Sequence, residues 1–565
     1  MSHERLASPH RHSEWTLDYP PFFAWFERVL ALGAPLFDPG MLVVSATPYV
    51  SAATVVYQRL TVMLTDGLLL VGARRLVAVE GSAADDGESA PAAVALVFLN
   101  AGLLLVDHVH FQYNGMLVGL LLLAVAELRA GRERRAAVLF AALLNFKHLF
   151  LFAAPLYFVY LLRGHVLRVA PAPPAPPRAA GWAGALGRLV LLGAPVALVF
   201  ALSLAPFAYF GQLAQLLTRL FPFGRGLTHA YWAPNTWALY TAADKALAFV
   251  LRRGGGGAGG GGSAGTGGLV GETPLAVLPA VQPRHTALLV LLLQAPVLWR
   301  TWRAPRAASF APACAVCGLA AFLVGWHVHE KAVLPPLLLL LPLRPSGGGG
   351  GGGGGGSGGG AGGGSGGAEG ERRVQGAQLH ARLLLLLSAS GQYALLPLLH
   401  RPTEAVLARA ALCAYACALT LALRSRLRRL GTFTSSSSLS SADADAAAEP
   451  PSAAASAASS AASASASSAA SAAAFAAAFA AAPLGLRLHE RLYLAGFLPL
   501  ELLCALVLPL AAPRLPFLPL LCTSVYCAAG VHYAFALALA FWWRTDEEAA
   551  THEGGRGERA VAKRE

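Results

Sequence analysis

The chain has 565 residues, of which 56% are hydrophobic and only 13% are charged, and its mean hydropathy is +0.54. Soluble globular proteins carry about 25% charged residues, so this composition excludes a set of soluble domains and predicts an all-α, polytopic membrane protein. The net charge of +13 does not indicate a nucleic-acid partner, because arginine clusters flank the apolar runs as expected at the cytosolic ends of membrane spans.

The chain begins with a polar segment, and an amphipathic, aromatic stretch at 13–39 predicts a helix lying in the membrane interface. Thirteen apolar runs then predict membrane spans, several of them shorter than the ~20 residues that a straight span needs. The predicted spans are 59–76, 91–106, 115–128, 136–146, 149–162, 189–207, 286–299, 310–326, 332–343, 383–399, 404–424, 492–511 and 518–543.

Arginine-rich connections set the predicted orientation, because such connections lie in the cytosol. They are 129–135, 163–188, 300–306 and 424–429. The alternate connections, including 107–114 and 327–331, are then predicted on the opposite side. The run 237–250 would reverse this alternation if it crossed the membrane, so we predict that it is re-entrant or interfacial, although Arg252 and Arg253 beside it favour the cytosol.

Low-complexity stretches at 254–268, 347–367 and 435–482 are rich in Gly, Ser or Ala and predict flexible insertions without chemistry. The chain is accordingly predicted to contain several segments. They are a membrane core with the motif loops at 1–343, a Gly-rich cytosolic linker at 344–382, membrane helices at 383–430, a Ser/Ala-rich loop at 431–487, C-terminal membrane helices at 488–543 and a cytosolic tail at 544–565.

Polar motifs lie between the spans, on the side opposite to the arginine-rich connections. They are Leu17-Asp18-Tyr19-Pro20-Pro21, Asp107-His108-Val109-His110-Phe111-Gln112-Tyr113-Asn114, Asn145-Phe146-Lys147-His148, Arg219-Leu220-Phe221-Pro222-Phe223-Gly224-Arg225-Gly226, Tyr231-Trp232-Ala233-Pro234-Asn235 and His327-Val328-His329-Glu330-Lys331. Polar groups at membrane depth are costly and commonly functional. Aromatic and carboxylate side chains suit sugars, and Arg and Lys suit phosphate, so the motifs predict a phosphorylated, membrane-borne sugar as the ligand.

Each motif also has a structural interpretation. Asp18 fits a turn cap before two prolines, Lys147 and His148 fit residues that reach the membrane surface, and Glu330 with Lys331 fits an internal ion pair. His327 and His329 have no third ligand in the sequence, and the seven cysteines lie in apolar segments, so we predict no metal site. A secondary transporter would show internal repeats, and none is found.

These motifs occur in an order that resembles the dolichyl-phosphate-glucose-dependent α-1,3-glucosyltransferases of the endoplasmic reticulum. The resemblance covers most of 13–343 and none of the low-complexity stretches. The residues from Ser13 to Glu27, the Asn145-Phe146-Lys147-His148 motif and the stretch from His229 to Asn235 are more similar to the subfamily that adds the second glucose than to the sister subfamily that adds the first.

The resemblance implies a multi-pass enzyme of the GT-C class in the endoplasmic reticulum membrane, with a lumenal active site and no cofactor. Its implied substrates are dolichyl phosphate glucose and a dolichyl-diphosphate oligosaccharide. The implied roles are donor-phosphate binding by Arg225, His329 and Lys331; catalytic support by Asp18, Asp107, His108 and His110; and sugar or acceptor binding by Gln112, Asn114, Lys147, His148, Tyr231, Trp232 and Asn235.

One departure concerns the catalytic base. Members of the resembled family begin with a further membrane helix, followed by a lumenal Asp-Phe-Glu type motif whose Asp is the base. Neither Asp18 nor Asp107 matches that position. We therefore expect the base and the first span upstream of Met1, and expect no transfer by the chain until it is extended. An inactive truncated protein or a non-catalytic membrane scaffold is the alternative.

Overall fold

The structure, a computed structural model, describes residues 19–43, 49–81, 89–168, 182–229, 233–254, 275–343, 365–399, 402–435, 484–512, 515 and 517–562. Within these ranges the chain is mainly helical, and its β-type pairing is limited to one isolated bridge between Thr228 and Val328. The all-α fold predicted from the composition is therefore confirmed for the described part of the chain.

The α-helices are numbered here in chain order. The first are α1 Pro21–Gly33, α2 Ala52–Glu80, α3 Ser89–Phe98, α4 Ala101–Leu103, α5 Asn114–Arg129, α6 Glu133–Phe146, α7 Ala154–Tyr160, α8 Trp182–Tyr209 and α9 Leu213–Leu220. The later ones are α10 Thr236–Gly254, α11 Pro283–Arg303, α12 Phe310–Val324, α13 Leu334–Leu340, α14 Ser365–Tyr393, α15 Pro402–Ser435, α16 Leu488–Ala495, α17 Phe497–Leu502, α18 Leu508–Ala511 and α19 Leu518–Ala562. Short 3₁₀ or π-helical turns extend or join several of them at the motifs.

Six helical segments of the described residues are long and apolar enough to cross a membrane. They are Ala90–Val109, His148–Val166, Trp182–Tyr209, Gly370–Leu398, Glu404–Gly431 and Leu518–Thr551. Each coincides with a predicted span, so a membrane protein with several spans is confirmed. The count of thirteen is not. The apolar helix α12 has only 15 residues, α13 has only 7, and the run 492–511 is broken into α16, α17, a π-helical turn and α18.

Burial separates inner from outer helices. In the most apolar stretch of α14, 94% of the residues are buried, so α14 is enclosed by other helices. In the most apolar stretch of α8, only 11% are buried, so α8 presents apolar side chains outward. One hydrophobic cluster includes Leu69 of α2, Leu385 of α14 and Trp542 of α19. The segments predicted on either side of the Gly-rich stretch therefore share one core.

Two predicted segments, the linker and the tail, are helical within the described residues, and the division of the chain into segments stays a prediction. The linker predicted at 344–382 is helical from Ser365, and His380 in this helix is completely buried. The tail predicted at 544–565 continues α19 as far as Ala562. Asp546 in this extension pairs with Arg300 at 2.5 Å and with Arg306 at 3.1 Å, which holds this part of α19 against the end of α11 and the connection after it.

The predicted loop at 431–487 begins slightly later than expected, since α15 continues to Ser435. The part of that loop at 436–483 lies outside the described residues.

Glycines set the distance between α2 and α5. A Cβ added at Gly72 of α2 would lie 2.3 Å from the carbonyl oxygen of Gly119 in α5, and small residues of this kind let membrane helices approach closely. The contact places the N-terminus of α5, where the 107–114 motif ends, beside α2. Asp66 of α2 is thereby brought to that motif, 2.8 Å from His108.

Candidate active site

The 107–114 motif, predicted as a connection between two spans, includes part of a π-helical turn and the start of a helix. A π-helical turn at Leu104–Val109 contains Asp107, and α5 begins at Asn114. The Asp107 carboxylate is 1% exposed and accepts hydrogen bonds from the backbone N–H groups of Asn114 and Gly115 at 3.1 and 2.5 Å. Because the first N–H groups of a helix have no intrahelical partners, Asp107 closes the N-terminus of α5 and shapes the site.

Two side-chain amides link three of the predicted motifs. The Asn114 amide donates to Asp107 Oδ1 at 2.8 Å and to Gln112 Oε1 at 3.0 Å. The ammonium group of Lys147 donates to Asn114 Oδ1 at 2.8 Å, and that of Lys331 donates to Gln112 Oε1 at 3.0 Å. Residues distant in the sequence thus form one network in which two lysines contact a single pair of amides.

The two histidines of the 107–114 motif have different surroundings. His108 Nε2 lies 2.8 Å from Asp66 Oδ2, and the Asp66 carboxylate is mostly buried. This contact fixes the orientation of the His108 ring. His110 is exposed at the turn that follows.

Backbone contacts join the residues that follow the 219–226 motif to the 327–331 motif. Thr228 and Val328 form the isolated bridge, and the His327 N–H donates to the Leu227 carbonyl at 3.0 Å. The His327 ring nitrogen Nδ1 also lies 3.0 Å from the carbonyl oxygen of Gly226. The φ angle of Gly226 is 86°, a value that favours glycine.

Glu330 has a partner that the sequence did not suggest. Its Oε2 lies 3.5 Å from Nδ1 of His229, whose ring centroid is 3.9 Å from that of His329. The ligand atoms of these three residues all lie within 4.8 Å of one another, so a third group does stand beside the histidine motif and could complete a metal site. The absence of a metal stays a prediction, and the ion pair predicted between Glu330 and Lys331 is replaced by the contacts to His229 and Gln112.

Burial controls the charges of this cluster. Burial holds the pKa of His329 well below its usual value, and the neighbouring His229 and Lys331 lower it further. The His329 ring is therefore neutral. Burial alone would raise the pKa of Glu330, but its contact with His229 lowers it. Burial lowers the pKa of Lys331 against the opposing effect of Glu330. Burial, with a smaller contribution from Lys331, lowers the pKa of Lys147 to about 7.

A cavity of about 230 Å³ lies between α1 and the 107–114 motif. It is lined by Tyr19, Phe23, Glu27, Phe111, Gln112, Tyr113, Asn114, Leu117 and Lys147. Tyr19, Phe23 and Glu27 are spaced by four residues, which places them on one side of α1 and its entry. Aromatic rings with a carboxylate, two amides and an ammonium group offer the apolar faces and hydrogen-bonding groups that a hexose requires.

Asn235, predicted to bind sugar or acceptor, instead closes the start of α10. Its Oδ1 accepts hydrogen bonds from the backbone N–H groups of Trp237 and Ala238 at 3.0 and 3.3 Å, and its amide donates to the Phe322 carbonyl at 3.1 Å. The residue is 3% exposed. Its function in this structure is therefore to cap the helix, as asparagine commonly does.

The remaining predicted residues are placed only in part. His148 lies at the start of a 3₁₀ turn, with its ring centroid 5.5 Å from that of Phe221. Asp18, Tyr231 and Trp232 fall outside the described residues, as does the side chain of Arg225.

Sequence reasoning assigned no role in the site to four polar residues that the structure places there: Glu27, Asp66, His229 and Glu330. Asp66 carried a usable signal, because a carboxylate within a predicted span is expected to have a specific partner. Glu27, His229 and Glu330 stood inside motifs that were recognised, but their neighbours come from other helices and from segments that are distant in the sequence.

Comparison with known proteins agrees with the motifs. The sequence profile of the ALG6, ALG8 glycosyltransferase family matches residues 8–345 and 374–538. A Drosophila melanogaster relative described as a probable dolichyl pyrophosphate Glc1Man9GlcNAc2 alpha-1,3-glucosyltransferase is 47% identical over 59% of this chain and 61% of its own length. Relatives described as the same transferase, without "probable", are 45% identical in Arabidopsis thaliana and 36% in Mus musculus.

These matches differ in extent. The mouse match covers 93% of this chain and 85% of the relative, and the plant match covers 57% and 61%. The chain thus spans about three fifths of the length of the fly and plant relatives that it matches. Because the family profile matches most of the chain and the mouse match covers nearly all of it, the chain belongs to the ALG6, ALG8 glycosyltransferase family.

Proposed function

We propose that the chain transfers glucose from dolichyl β-D-glucosyl phosphate to Glc1Man9GlcNAc2-diphosphodolichol, forming an α-1,3 bond with inversion. It would thereby add the second glucose to the lipid-linked oligosaccharide, as a multi-pass GT-C enzyme of the endoplasmic reticulum membrane that needs no cofactor. The names of its relatives support this acceptor. The sister activity, which adds the first glucose to Man9GlcNAc2-diphosphodolichol, is distinguished by the assay below.

The network of Lys147, Lys331, Asn114 and Gln112 beside the aromatic cavity carries this proposal. The partly desolvated ammonium group of Lys331 suits the phosphate of the donor, and the cavity has the lining of a hexose site. A phosphate that leaves with the bonding electrons gains negative charge as the anomeric C–O bond breaks. Preorganised cations at this position stabilise the transition state by several kcal/mol, which is at least the contribution of one hydrogen-bond donor in an oxyanion hole.

The reaction assigns a distinct task to each group. The acceptor hydroxyl attacks the anomeric carbon of glucose, the bond to the phosphate oxygen breaks, and the hydroxyl proton passes to a general base. Lys331 faces the leaving phosphate, while the neutral ring of His329 is able to donate a hydrogen bond to it. Asp107 keeps Asn114 and Gln112 in place by closing α5.

The proposed topology is tested by labelling in sealed microsomes. Single cysteines in 107–114 and 327–331 should react only when the lumen is opened, whereas cysteines in 129–135 and beyond Arg544 should react from the cytosolic side. Labelling of 107–114 in intact microsomes would show that the motifs do not share a lumenal face.

Transfer is tested with a short-chain dolichyl-phosphate-glucose analogue and the two acceptors side by side. The chain is assayed in two forms, one of 565 residues and one extended at its N-terminus by the membrane span and Asp motif that we expect from the resemblance. We expect the extended form to glucosylate Glc1Man9GlcNAc2 lipid and not Man9GlcNAc2 lipid. Use of Man9GlcNAc2 lipid would assign the sister activity, and transfer to neither acceptor would refute the proposal.

A further inference from the structure

Two largely enclosed lysines meet at one pair of side-chain amides. Lys147 is 9% exposed and Lys331 is also largely enclosed. Each ammonium group donates to one amide oxygen, on Asn114 and Gln112 respectively, and these amides are themselves joined by a 3.0 Å hydrogen bond. The two positive charges are therefore held near each other by a rigid polar bridge.

The charges of this pair are not balanced by a contacting carboxylate. Among the described residues, neither lysine forms a salt bridge, and the nearby carboxylate of Asp107 is already engaged by Asn114 and Gly115. A lysine ammonium has three N–H donors, and each of these two meets one amide acceptor. Buried charges in proteins are normally paired, so the arrangement is suited to an anion that arrives from outside.

The ammonium group of Lys147 also faces the cavity below α1. It lies 5.6 Å from the ring centroid of Tyr19, which lines the same cavity. Burial, followed by the charge of Lys331, lowers its pKa to about 7, and an anion between the lysines would reverse that effect. An anion held here would have the hexose-sized cavity directly beside it.

We propose that Lys147 acts with Lys331 as a second cation for the phosphate of the lipid-linked donor, with the donor glucose in the cavity that Lys147 lines. This assignment rests on the proposed function and moves Lys147 from the acceptor side to the donor side. Asn114 and Gln112 then act as positioning residues that hold the two ammonium groups. Both lysines contact the same departing group, the polyprenyl phosphate.

Direct binding tests the assignment without any transfer activity. The full chain in detergent is titrated with a short-chain polyprenyl monophosphate, and the polyprenol of equal length serves as the control ligand. We expect tighter binding of the phosphate by wild type and a loss of tenfold or more in Lys147→Met. Lys147→Arg should retain most of the affinity. Lys245→Met, which alters a lysine over the Phe517 ring away from the network, should bind as wild type does.

A merely structural lysine would behave differently. Lys147→Met removes an unpaired buried charge, so the ligand-free variant should unfold at a temperature no lower than wild type while binding the phosphate less well. Unchanged phosphate affinity in folded Lys147→Met, or a loss confined to binding of the oligosaccharide acceptor, would overturn the proposal. Equally tight binding of inorganic phosphate would overturn the assignment to a lipid-linked anion. Failure of glucose transfer with the lysine dependence of binding intact would refute only the proposed function.

Discussion

The substitution Asp107→Asn separates a structural role for this carboxylate from a chemical one. Asp107 is 1% exposed and accepts hydrogen bonds from the backbone of Asn114, the side chain of Asn114 and the backbone of Gly115. Asparagine has nearly the same shape but carries one acceptor and one donor group. Its oxygen can keep the contacts to Asn114, and its NH₂ group must then face the N–H of Gly115.

The expected cost follows from these contacts. One hydrogen bond to a charged acceptor is lost, which costs ~1.5–3 kcal/mol, and a buried donor is left without a partner, which costs ~1–3 kcal/mol. The free energy of unfolding should therefore fall by about 3–5 kcal/mol. Because Asn114 and Gln112 depend on this anchor, binding of polyprenyl phosphate should weaken in the same variant.

Thermal unfolding in detergent, followed by loss of a monodisperse peak in size exclusion, measures the effect. Asp107→Asn should lower the midpoint by several degrees. Glu547→Gln, at an exposed position on α19, should leave the midpoint nearly unchanged, as most surface substitutions do. A midpoint equal to wild type in Asp107→Asn, with binding or transfer lost, would refute the anchoring role and assign the carboxylate to the substrate.

Three further predictions follow from the packing and the charges. In an active form of the protein, Lys331→Ala should slow single-turnover transfer by ~10²-fold, and Lys331→Arg should recover part of the rate because it retains the charge. Gly72→Ala should destabilise the protein by ~1–3 kcal/mol, because the new Cβ would meet the Gly119 oxygen, whereas Gly67→Ala faces open space and should change little. Between about pH 7 and 10.5, Lys147 is neutral in the folded protein but protonated in the unfolded chain, so unfolding takes up a proton. The free energy of unfolding of the ligand-free protein should therefore increase as the pH rises through this range. Lys147→Met should flatten this dependence.

Each of these predictions has an outcome that contradicts it. Near-normal transfer by folded Lys331→Ala would remove this lysine from the donor site. Equal unfolding midpoints for Gly72→Ala and Gly67→Ala would show that α2 and α5 are less closely packed. Lys331 and Asp107 face Lys147 electrostatically, so a pH dependence that survives in Lys147→Met would point to one of these neighbours.

Part of the candidate site was accessible from the sequence because motif residues are local. The 107–114 motif, Lys147 and the His329-Glu330-Lys331 stretch were recognised, and the structure brings them into one network. Their individual tasks were less accessible. Asn235 has the residue type of a sugar ligand, but its oxygen closes the start of α10. Whether Asn235 caps a helix or binds a sugar depends on where α10 begins, and the sequence does not fix that residue.

Two helices extend beyond the ends that the sequence indicates, because local composition is ambiguous there. The linker predicted at 344–382 contains the Gly-rich stretch 347–367, but α14 begins at Ser365, and its later residues such as His380 are buried among other helices. The segment 544–565 was predicted as a cytosolic tail, and ion pairs from Asp546 to Arg300 and Arg306 hold it as a continuation of α19. Tertiary contacts override local propensity in both places.

The sequence by itself determined that the chain is a helical membrane protein and which polar motifs stand between its apolar runs. Hydropathy and charge placement act locally, so they can be interpreted without knowing which helices are neighbours. Tertiary structure alone decided that Glu330 pairs with His229, that Asp66 contacts His108, and that two lysines share one amide pair. These contacts join residues far apart in the chain, and they arise from close helix packing, such as that at Gly72 and Gly119, that no local pattern encodes.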